Sequence, residues 1–299
     1  EKVINKLRNL LSDRLQTNSY VLDEHGKSEA FFPNYRPDAV VFPNNKEEII
    51  NIVKICYDES FPIIPWGSGT SLEGHTLAIN GGIVVNLMNM NKILKINPND
   101  MYAIVEPGVQ RNHLNMELKS TGLFFSVDPG ADASIGGMAS TGASGTTSVK
   151  YGTMRDNILS LEVITPEGEL IKIGNKAKKS SSGYDLKNIF IGSEGTLGII
   201  TEIILKLNCI PDNISSAVCC FSSIQNAIDA STSIIQSAIP IARLEFIDEE
   251  SISIINNFSN TNMKIKPHLF LEFHGSQKIV EEQSKEVEEI IYDFDGENF

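Results

Sequence analysis

Apolar side chains recur at the spacing of an α-helix in two stretches near the start of the chain, residues 2–15 and residues 46–58. An apolar residue every three or four positions gives a helix one buried face. Asn45 precedes the second stretch and Glu48 stands three positions later, a pairing typical of a helix start. The second helix is expected to bury Ile49, Ile52, Val53 and Cys56.

Short apolar runs bounded by turn residues predict strands in the middle of the chain. These runs occupy residues 82–87, 101–106, 158–165, 170–173 and 198–207. A turn at Pro166–Gly168 joins the third run to the fourth, and a helix over 110–120 is expected to hold His113 at its surface. Residues 174–188 read as a polar loop, with lysines at Lys176, Lys178 and Lys179.

The amino-acid composition changes near Pro211, and glycine is nearly absent from there until Gly275. Strand-like and helical segments then alternate, at residues 215–221, 223–237, 241–247, 248–257, 268–273 and 277–292. This βαβαβα order predicts a smaller α/β domain whose helices lie on one face of the sheet.

Composition narrows the class of protein further. A length of 299 residues fits about two domains, and 41% hydrophobic residues suffice for ordinary cores. The net charge of −13 argues against nucleic acid or an anionic membrane surface as the main partner, and no apolar run reaches the roughly 18 residues of a membrane span. The chain begins with Glu, so we expect either a removed leader or a segment of something longer.

The four cysteines lack the C-x-x-C spacing of metal sites and redox motifs. We therefore expect buried apolar thiols in a reducing compartment, at Cys56, Cys209, Cys219 and Cys220.

Glycine is concentrated in three places. Fourteen of the 22 glycines fall in residues 65–82, 130–152 and 192–198, which together make only 48 positions. Such density indicates a backbone that approaches a ligand closely or turns through positive φ. Successive amides in such turns form nests that bind anions. Since the runs 65–74, 128–146 and 192–201 contain neither Lys nor Arg, amides and hydroxyls would hold the anion, which suits a buried pyrophosphate. Three ordinary glycine-rich loops remain the alternative.

Two common phosphate motifs do not fit the first glycine run. A P-loop requires Lys after its last glycine, whereas His75 follows Gly74. The Rossmann fingerprint requires a third glycine where Leu72 stands, and residues 73–82 have no helical period. The run is therefore a dinucleotide-type loop outside both classes.

Several long motifs follow one another along the chain from about residue 20 to its end. They are RPDAVVFP from Arg36, PIIPWGSGTSLEG from Pro62, VEPGV from Val105, DPGADASIGGMASTGASGT from Asp128, YGTMRDNILSLEV from Tyr151, GYDLKNIFIGSEGTLGIIT from Gly183, PIARLEF from Pro240 and LFLEFHGS from Leu269. In this order the motifs resemble the vanillyl-alcohol-oxidase-type, or PCMH-type, flavoproteins. Within that family the chain is most similar to the cytochrome-linked D-lactate dehydrogenase branch. Asp128–Asp132 and Gly142–Gly145 favour this branch over the 2-hydroxyglutarate and glycolate branches, which usually carry an N-A-G-G-type turn.

The resemblance implies an α+β fold. It implies a PCMH-type FAD-binding domain of two subdomains at residues 33–212, preceded by an N-terminal helical segment at 1–32. An incomplete ferredoxin-like α/β substrate (cap) domain would follow at 213–299.

The resemblance also assigns the cofactor contacts. Backbone amides of the first run would bind the FAD pyrophosphate, the second run would line the diphosphate and flavin, and Glu194 with the following strand would lie along the adenosine. For each loop hydroxyl a turn-stabilising bond is the alternative. The residues concerned are Pro65, Gly67, Ser68, Gly69, Thr70, Ser71, Pro129, Gly130, Ala131, Gly136, Gly137, Thr141, Ser144, Gly145, Glu194, Ile199 and Ile200.

One departure from relatives bears on how the flavin is held. Members of the family that attach flavin covalently through this loop usually read G-H-S, whereas this chain reads Gly69–Thr70–Ser71. Thr70 cannot form a histidyl link, so FAD is expected to be non-covalent. His75 reads as a loop histidine and not as an attachment point.

The catalytic part of the family pattern is not found in this chain. The substrate-binding Arg, the metal-binding His pair and the active-site His of the family lie in a C-terminal H-x-G-D-G-N-x-H-like segment, which is absent here. We therefore expect no catalytic residue and no metal ligand in these 299 residues, with a divalent metal such as Zn only in a missing half. His268 and His274 would share one sheet face, without a third ligand in reach.

The resemblance implies FAD-dependent oxidation of D-lactate to pyruvate, with electrons passed to cytochrome c in mitochondria. The segment alone is expected to oxidise D-lactate poorly. A 2-hydroxyglutarate or glycolate dehydrogenase, a non-catalytic FAD-binding subunit, a plain α/β domain without cofactor and a cytoplasmic location remain alternatives.

Overall fold

The protein, seen in a computed structural model, is described here for residues 1–177 and 179–299. Lys178 of the predicted polar loop lies outside the described residues. The chain forms two compact units. The first unit comprises Glu1–Ser144 and Thr153–Asn208, and the second comprises Gly145–Gly152 and Cys209–Phe299.

Helices and strands alternate along most of the chain. The helices are α1 (Lys2–Leu11), α2 (Ser19–Gly26), α3 (Lys46–Asp58), α4 (Arg111–Leu118), α5 (Ile135–Thr141), α6 (Ser148–Tyr151), α7 (Met154–Asn157), α8 (Lys187–Phe190), α9 (Ile224–Gln236), α10 (Glu249–Ser259) and α11 (Gln277–Asp293). The strands are β1 (Leu15–Gln16), β2 (Ala39–Val41), β3 (Ile63–Trp66), β4 (Ile83–Asn86), β5 (Ile93–Asn97), β6 (Tyr102–Val105), β7 (Leu123–Phe124), β8 (Ile158–Ile164), β9 (Leu170–Gly174), β10 (Ile199–Lys206), β11 (Asn208–Cys209), β12 (Asn213–Cys220), β13 (Arg243–Ile247) and β14 (His268–Gly275).

The helix predicted over residues 46–58 is confirmed at both ends as α3. The Asn45 side chain accepts a hydrogen bond from the Glu48 amide at 2.9 Å, which satisfies one donor of the first turn. The buried face comprises the four residues that the apolar spacing predicts.

The first predicted helix is shorter than its periodicity suggests. The helix α1 ends at Leu11, because Ser12 takes a φ of 52° and opens a short 3₁₀ turn. Leu15 stays buried, but in strand β1, which pairs antiparallel with β2. An apolar residue at the right spacing thus marks burial here and not helix.

Two sheets form the first unit. A four-stranded sheet has the order β1-β2-β4-β3, in which β2 and β3 both run parallel to β4. A five-stranded antiparallel sheet has the order β5-β6-β10-β8-β9, and its β8–β9 hairpin turns at Gly168 as predicted. Helices α1 and α3 pack on the first sheet, whereas α4 and α5 contribute to the core of the second.

The second unit contains an antiparallel sheet of order β12-β14-β13. Helices α9 and α11 bury Ala230, Ile234, Val287 and Ile291 in the same core as Leu271 of the central strand. The predicted alternation of three strands with three helices is confirmed, with boundaries shifted by a few residues.

All four cysteines are free thiols, but one of them is not buried. Cys56, Cys219 and Cys220 are buried, and burial raises the pKa of Cys56 and of Cys219 to about 12. The prediction was wrong for Cys209, which is exposed in the two-residue strand β11 and belongs to none of the core clusters.

Within the described residues, the structure contains no helix that combines the length and the apolar character needed to cross a bilayer.

Candidate cofactor cavity

The three glycine-rich runs come together in the first unit around one cavity of about 710 Å³. Its wall is built from residues 65–76, 129–144 and 194–200, with additions from Glu29, Leu87 and Pro107. We call these three wall segments the cradle. The volume falls within the range of pockets that bind small molecules and cofactors.

The first cradle segment turns sharply where strand β3 ends. Gly69 has a φ of 71°, and a Cβ added there would lie 2.4 Å from the ring of Trp66. Only glycine meets both constraints without displacing the tryptophan. The Ser68 hydroxyl accepts a hydrogen bond from the Ser134 amide at 3.1 Å, which joins the first segment to the second.

The second cradle segment is pressed against the chain that follows strand β6. The Gly136 amide donates to the Pro107 carbonyl at 2.8 Å, and a Cβ at Gly136 would lie 2.5 Å from Cβ of Pro107. Ser134 caps α5 by accepting from the Gly137 amide at 3.3 Å. By contrast, Gly130 has open space around the position of an added Cβ, so no contact within the protein requires glycine there.

The third cradle segment docks on α5. Glu194 takes a φ of 53°, and its amide donates to the Ser140 carbonyl at 2.8 Å. Gly195 packs against Pro65, since an added Cβ would lie 2.9 Å from the proline ring. All three segments are therefore fixed to one another by backbone bonds and close approaches.

Five consecutive backbone donors in the first segment find no partner among the described residues. Across the described residues, the amides of Ser68 to Leu72 donate to no backbone or side-chain acceptor. Backbone amides are strong donors that folded proteins normally pair. Five consecutive amides without such a partner, on the wall of a cavity, form a site prepared for an acceptor-rich group.

The charge of the wall agrees with this use of the backbone. Among the wall residues that the structure describes, no Lys or Arg is present, and the titratable side chains are Glu29, Glu73, His75 and Glu194. A bound anion would be held by amide dipoles and hydroxyls, as the sequence predicts.

Fifteen of the seventeen predicted cofactor-binding residues line the cavity. The two exceptions are Gly145, which belongs to the second unit, and Ile199, which is buried between the sheets and lines an adjoining cleft of about 220 Å³. The fifteen are Pro65, Gly67, Ser68, Gly69, Thr70, Ser71, Pro129, Gly130, Ala131, Gly136, Gly137, Thr141, Ser144, Glu194 and Ile200.

The sequence did not single out two wall residues that define the shape of the cavity, Trp66 and Pro107. Both stand inside the motifs PIIPWGSGTSLEG and VEPGV, directly beside a glycine. The glycines that make room for them are Gly69 and Gly136, not the adjacent Gly67 and Gly108, so only Trp66 lies close enough in sequence to its partner to give a local signal.

His75 lies in the cavity wall, near the third segment. Its Nδ1 is 3.5 Å from the Ser71 hydroxyl and 3.9 Å from a carboxylate oxygen of Glu194. Both neighbours face the same ring nitrogen. This arrangement ties the end of the first segment to the third.

A second histidine supports the cradle from below. His25 Nδ1 lies 2.8 Å from the Val21 carbonyl oxygen, and its Nε2 lies 2.9 Å from the side-chain nitrogen Nδ2 of Asn86. The centre of the His25 ring lies 4.9 Å from that of Trp66. A neutral imidazole that donates at Nδ1 and accepts at Nε2 satisfies both contacts. Burial lowers the pKa of His25 and so favours this neutral form.

Metal ligands do not cluster in the part of the chain that the structure describes, which holds no group of three or more His, Cys, Asp or Glu able to bind a metal. His268 and His274 are both buried on β14. His268 Nδ1 contacts the Lys266 carbonyl, whereas His274 contacts Tyr151 and Glu272.

Comparison with known proteins assigns the two parts of the chain to known domain families. Residues 37–174 match the FAD binding domain, and residues 210–299 match the C-terminal domain of FAD linked oxidases.

Curated relatives match most or all of the chain. A protein of Danio rerio named probable D-lactate dehydrogenase, mitochondrial, is 46% identical over 100% of this chain and 61% of its own length. The mitochondrial D-lactate dehydrogenase [cytochrome] of Arabidopsis thaliana is 42% identical over 100% of this chain and 53% of its own length. Glycolate oxidase subunit GlcD of Bacillus subtilis is 37% identical over 86% of this chain and 56% of its own length. The chain thus spans little more than half the length of these relatives.

Solved structures confirm the fold. An alkyldihydroxyacetonephosphate synthase superposes with a TM-score of 0.83 at 23% identity, covering 99% of this chain and 60% of its own. p-Cresol methylhydroxylase superposes with a TM-score of 0.71 at 19% identity, covering 99% of this chain and 64% of its own. The predicted α+β, PCMH-type fold is therefore correct.

Proposed function

Because the chain belongs to the FAD-linked oxidases, with both their FAD-binding domain and their C-terminal domain, we propose that it binds FAD in the cradle and serves the oxidation of D-lactate to pyruvate. The D-lactate dehydrogenases of Danio rerio and Arabidopsis thaliana, 46% and 42% identical, support this substrate over other 2-hydroxy acids.

The observation that carries the proposal is the run of amides from Ser68 to Leu72 on the cavity wall, which have no partner in the described part of the chain. FAD brings a pyrophosphate with several acceptor oxygens, which such amides can satisfy without a counter-ion. The residues present therefore fit this cofactor. A nucleotide held by a lysine, as in a P-loop, would not find its partner here, since the described wall has neither Lys nor Arg.

The three cradle segments would divide the cofactor between them. The first segment, Gly67–Ser71, is assigned to the pyrophosphate through its amides. The second, from Pro129 to Ser144, is assigned to the diphosphate and the flavin. Glu194 and Ile200 are assigned to the adenosine end, and the cleft beside Ile199 adjoins that end.

FAD, when bound, would supply the redox chemistry of the reaction. The residues of this chain bind and orient the cofactor. Trp66, 8% exposed, closes the floor beneath Gly69 and excludes water from that side. No residue of this chain is assigned as the base that takes the hydroxyl proton.

The cofactor is proposed to be bound without a covalent link. Thr70 stands in the cradle where a histidyl attachment would require an imidazole, and its hydroxyl lies 3.4 Å from that of Ser68. Acid precipitation of the holoprotein should therefore release all flavin into the supernatant. Flavin that stays with the pellet would contradict this part of the proposal.

The electron acceptor and the compartment are proposed from the relatives. The Arabidopsis thaliana protein is named as cytochrome-linked and mitochondrial, so we assign cytochrome c as acceptor and mitochondria as location. The glycolate oxidase subunit, 37% identical, keeps glycolate as a second candidate substrate.

The test uses the single tryptophan of the chain as the reporter. Since Trp66 lines the cavity, FAD binding should quench its fluorescence in a saturable titration. Anaerobic addition of D-lactate should then bleach the visible flavin absorbance, although slowly, because no base is assigned within these residues, and cytochrome c should restore it. No saturable quenching would overturn the cofactor site. Bleaching by glycolate but not by D-lactate would overturn the substrate, and bleaching by neither acid would favour a non-catalytic FAD-binding role.

A further inference from the structure

The chain leaves the first unit for only eight residues between the second and third cradle segments. Residues 145–152, which we call the strap, belong to the second unit, whereas Ser144 and Thr153 on either side belong to the first. A glycine stands at each end, Gly145 and Gly152, the latter with a φ of 81°. The Met154 amide donates to the Ala143 carbonyl at 3.0 Å and so closes the base of the loop that carries the strap.

The strap is anchored by a chain of side-chain contacts within the second unit, centred on the buried His274. The Tyr151 hydroxyl lies 2.8 Å from Nδ1 of His274, and Nε2 of His274 lies 2.6 Å from a carboxylate oxygen of Glu272. Nε of Arg243 lies 3.1 Å from the same oxygen. We call this Tyr151–His274–Glu272–Arg243 series the relay.

The direction of the hydrogen bonds in the relay follows from its chemistry. A carboxylate only accepts, so Nε2 of His274 carries a hydrogen, and Nδ1 of the ring accepts from Tyr151 whenever the ring carries that single hydrogen. Burial, and then the Glu272 carboxylate, raise the pKa of Tyr151, so the phenol keeps the hydrogen that it donates. Each group therefore fixes the orientation of the next.

A second anchor holds the strap beside the relay. Nζ of Lys150 donates to the backbone carbonyl of His274 at 2.7 Å, and it lies 5.8 Å from the centre of the Tyr151 ring. Burial lowers the pKa of Lys150, which indicates that the ammonium gives up water to make this contact. Two neighbouring strap residues thus converge on one residue of β14.

The relay is not part of the apolar core of the second unit. Side chains alternate along a strand, and Leu269, Leu271 and Phe273 of β14 enter the core with α9 and α11. Glu272 and His274 therefore lie on the opposite face. His274 is nevertheless only 6% exposed, although burying polar groups is unfavourable unless they are fully paired.

We propose that His274 is a positioning residue for the flavin cradle, because the relay locks the strap and the strap continues directly into the wall residues Ala143 and Ser144. The inference rests on the proposed FAD site. FAD binding and strap anchoring would then stabilise each other, since both reduce the freedom of the same short segment.

The experiment compares FAD affinity in single variants of the full chain, read by Trp66 quenching. Tyr151→Phe removes one hydroxyl and should raise the FAD Kd about three- to tenfold, the range expected for one lost hydrogen bond. His274→Ala should raise it further. His274→Asn should recover part of the loss, because the Asn side chain can again accept from Tyr151. Tyr20→Phe, at a tyrosine 73% exposed, is the matched control and should leave the Kd unchanged.

Hydrogen exchange supplies a readout that a general loss of stability would not reproduce. Amides of residues 145–152 should exchange more slowly when FAD is added to the parent chain, and this protection should shrink in Tyr151→Phe. The double variant Tyr151→Phe/His274→Ala should bind FAD no more weakly than His274→Ala alone, because both changes remove the same contact.

The outcomes separate this inference from the FAD proposal. A parent chain that does not bind FAD overturns the cofactor site itself. A parent that binds FAD while Tyr151→Phe binds it equally well, with unchanged strap exchange, overturns the role of the relay. If His274→Ala does not fold, Tyr151→Phe alone decides, because it leaves the ring and its contact to Glu272 in place.

Discussion

The cradle and the relay both depend on polar groups, but the cradle uses the backbone whereas the relay uses side chains. In the cradle the donors are backbone amides, shaped by glycine turns and free of Lys or Arg among the described wall residues. In the relay the contacts are made by side chains, a Tyr from α6 and His, Glu and Arg from β13 and β14. We therefore expect the cradle to be disturbed by substitutions that add side-chain volume, and to be little affected by changes of charge. We expect the relay to be disturbed by the loss of single polar atoms.

The largest expected effect comes from adding one carbon to the cradle. Gly69→Ala places a Cβ 2.4 Å from the Trp66 ring at a φ of 71°. The left-handed backbone costs about 1–2 kcal/mol and the overpacking about 1–3 kcal/mol, so the free energy of unfolding should fall by about 2–5 kcal/mol. FAD affinity should fall at least about tenfold as the amides after Gly69 move, equivalent to about 1.4 kcal/mol.

Gly122→Ala is the control for that measurement. Gly122 has nearly the same φ, 73°, but nothing lies within 4 Å of an added Cβ, and it does not line the cavity. Denaturant unfolding should show only the backbone cost, about 1–2 kcal/mol, with FAD affinity unchanged. Equal losses in the two variants would mean that the close fit against Trp66 does not matter.

A smaller effect is expected from the titration of His25 below the cradle. Burial lowers the pKa of His25 in the folded protein. The unfolded state therefore takes up a proton at His25 near pH 6.5, whereas the folded state takes it up only at a lower pH. The contribution of neutral His25 to the free energy of unfolding is therefore fully present above pH 6.5. It is lost as the pH drops toward the pKa of the folded state, by at most about 1.4 kcal/mol per pH unit. His25→Gln should remove this slope in thermal unfolding, while His113→Gln, at an exposed histidine of α4, should keep it. A parent chain with flat stability between neutral pH and pH 5 would show that His25 is not held neutral.

The smallest expected effect is that of salt on FAD binding. Raising the ionic strength from about 0.01 M to about 1 M shortens the Debye length from about 30 Å to about 3 Å. A phosphate held by lysines would then bind much more weakly. The FAD Kd of this chain should change by less than about twofold, or even decrease, because salt screens the repulsion between FAD and a protein of net charge −13. A steep loss of affinity in the fluorescence titration would indicate cationic contacts to the phosphates.

Elements with a complete local signal could be predicted from the sequence. Helix α3 has its cap at Asn45 and an unbroken apolar face, and its limits match the prediction. Strand β5 was missed because its pattern, ILKIN, is half exposed and lacks the apolar run of its neighbours. The first predicted helix extends beyond the end of α1, because apolar periodicity gives no sign of the left-handed turn at Ser12.

The cradle could be predicted from the sequence more readily than the relay, because the signal for the cradle is local. Glycine density is a local property, and it indicates where the backbone bends even before the strands are paired. The contact between Tyr151 and His274 joins residues 123 positions apart. Nothing in either neighbourhood identifies the other, because only the placement of the strap beside β14 brings them together.

The strap also constrains the order in which the protein can fold during synthesis. Domains generally fold as they leave the ribosome, N-terminal first. The second unit is not one continuous stretch, since Gly145–Gly152 is made before the last part of the first unit and its partner His274 more than a hundred residues later. The strap therefore lacks its anchor until β14 has been synthesised. In an excised piece that starts at Cys209, His274 would lack its contact with the Tyr151 hydroxyl.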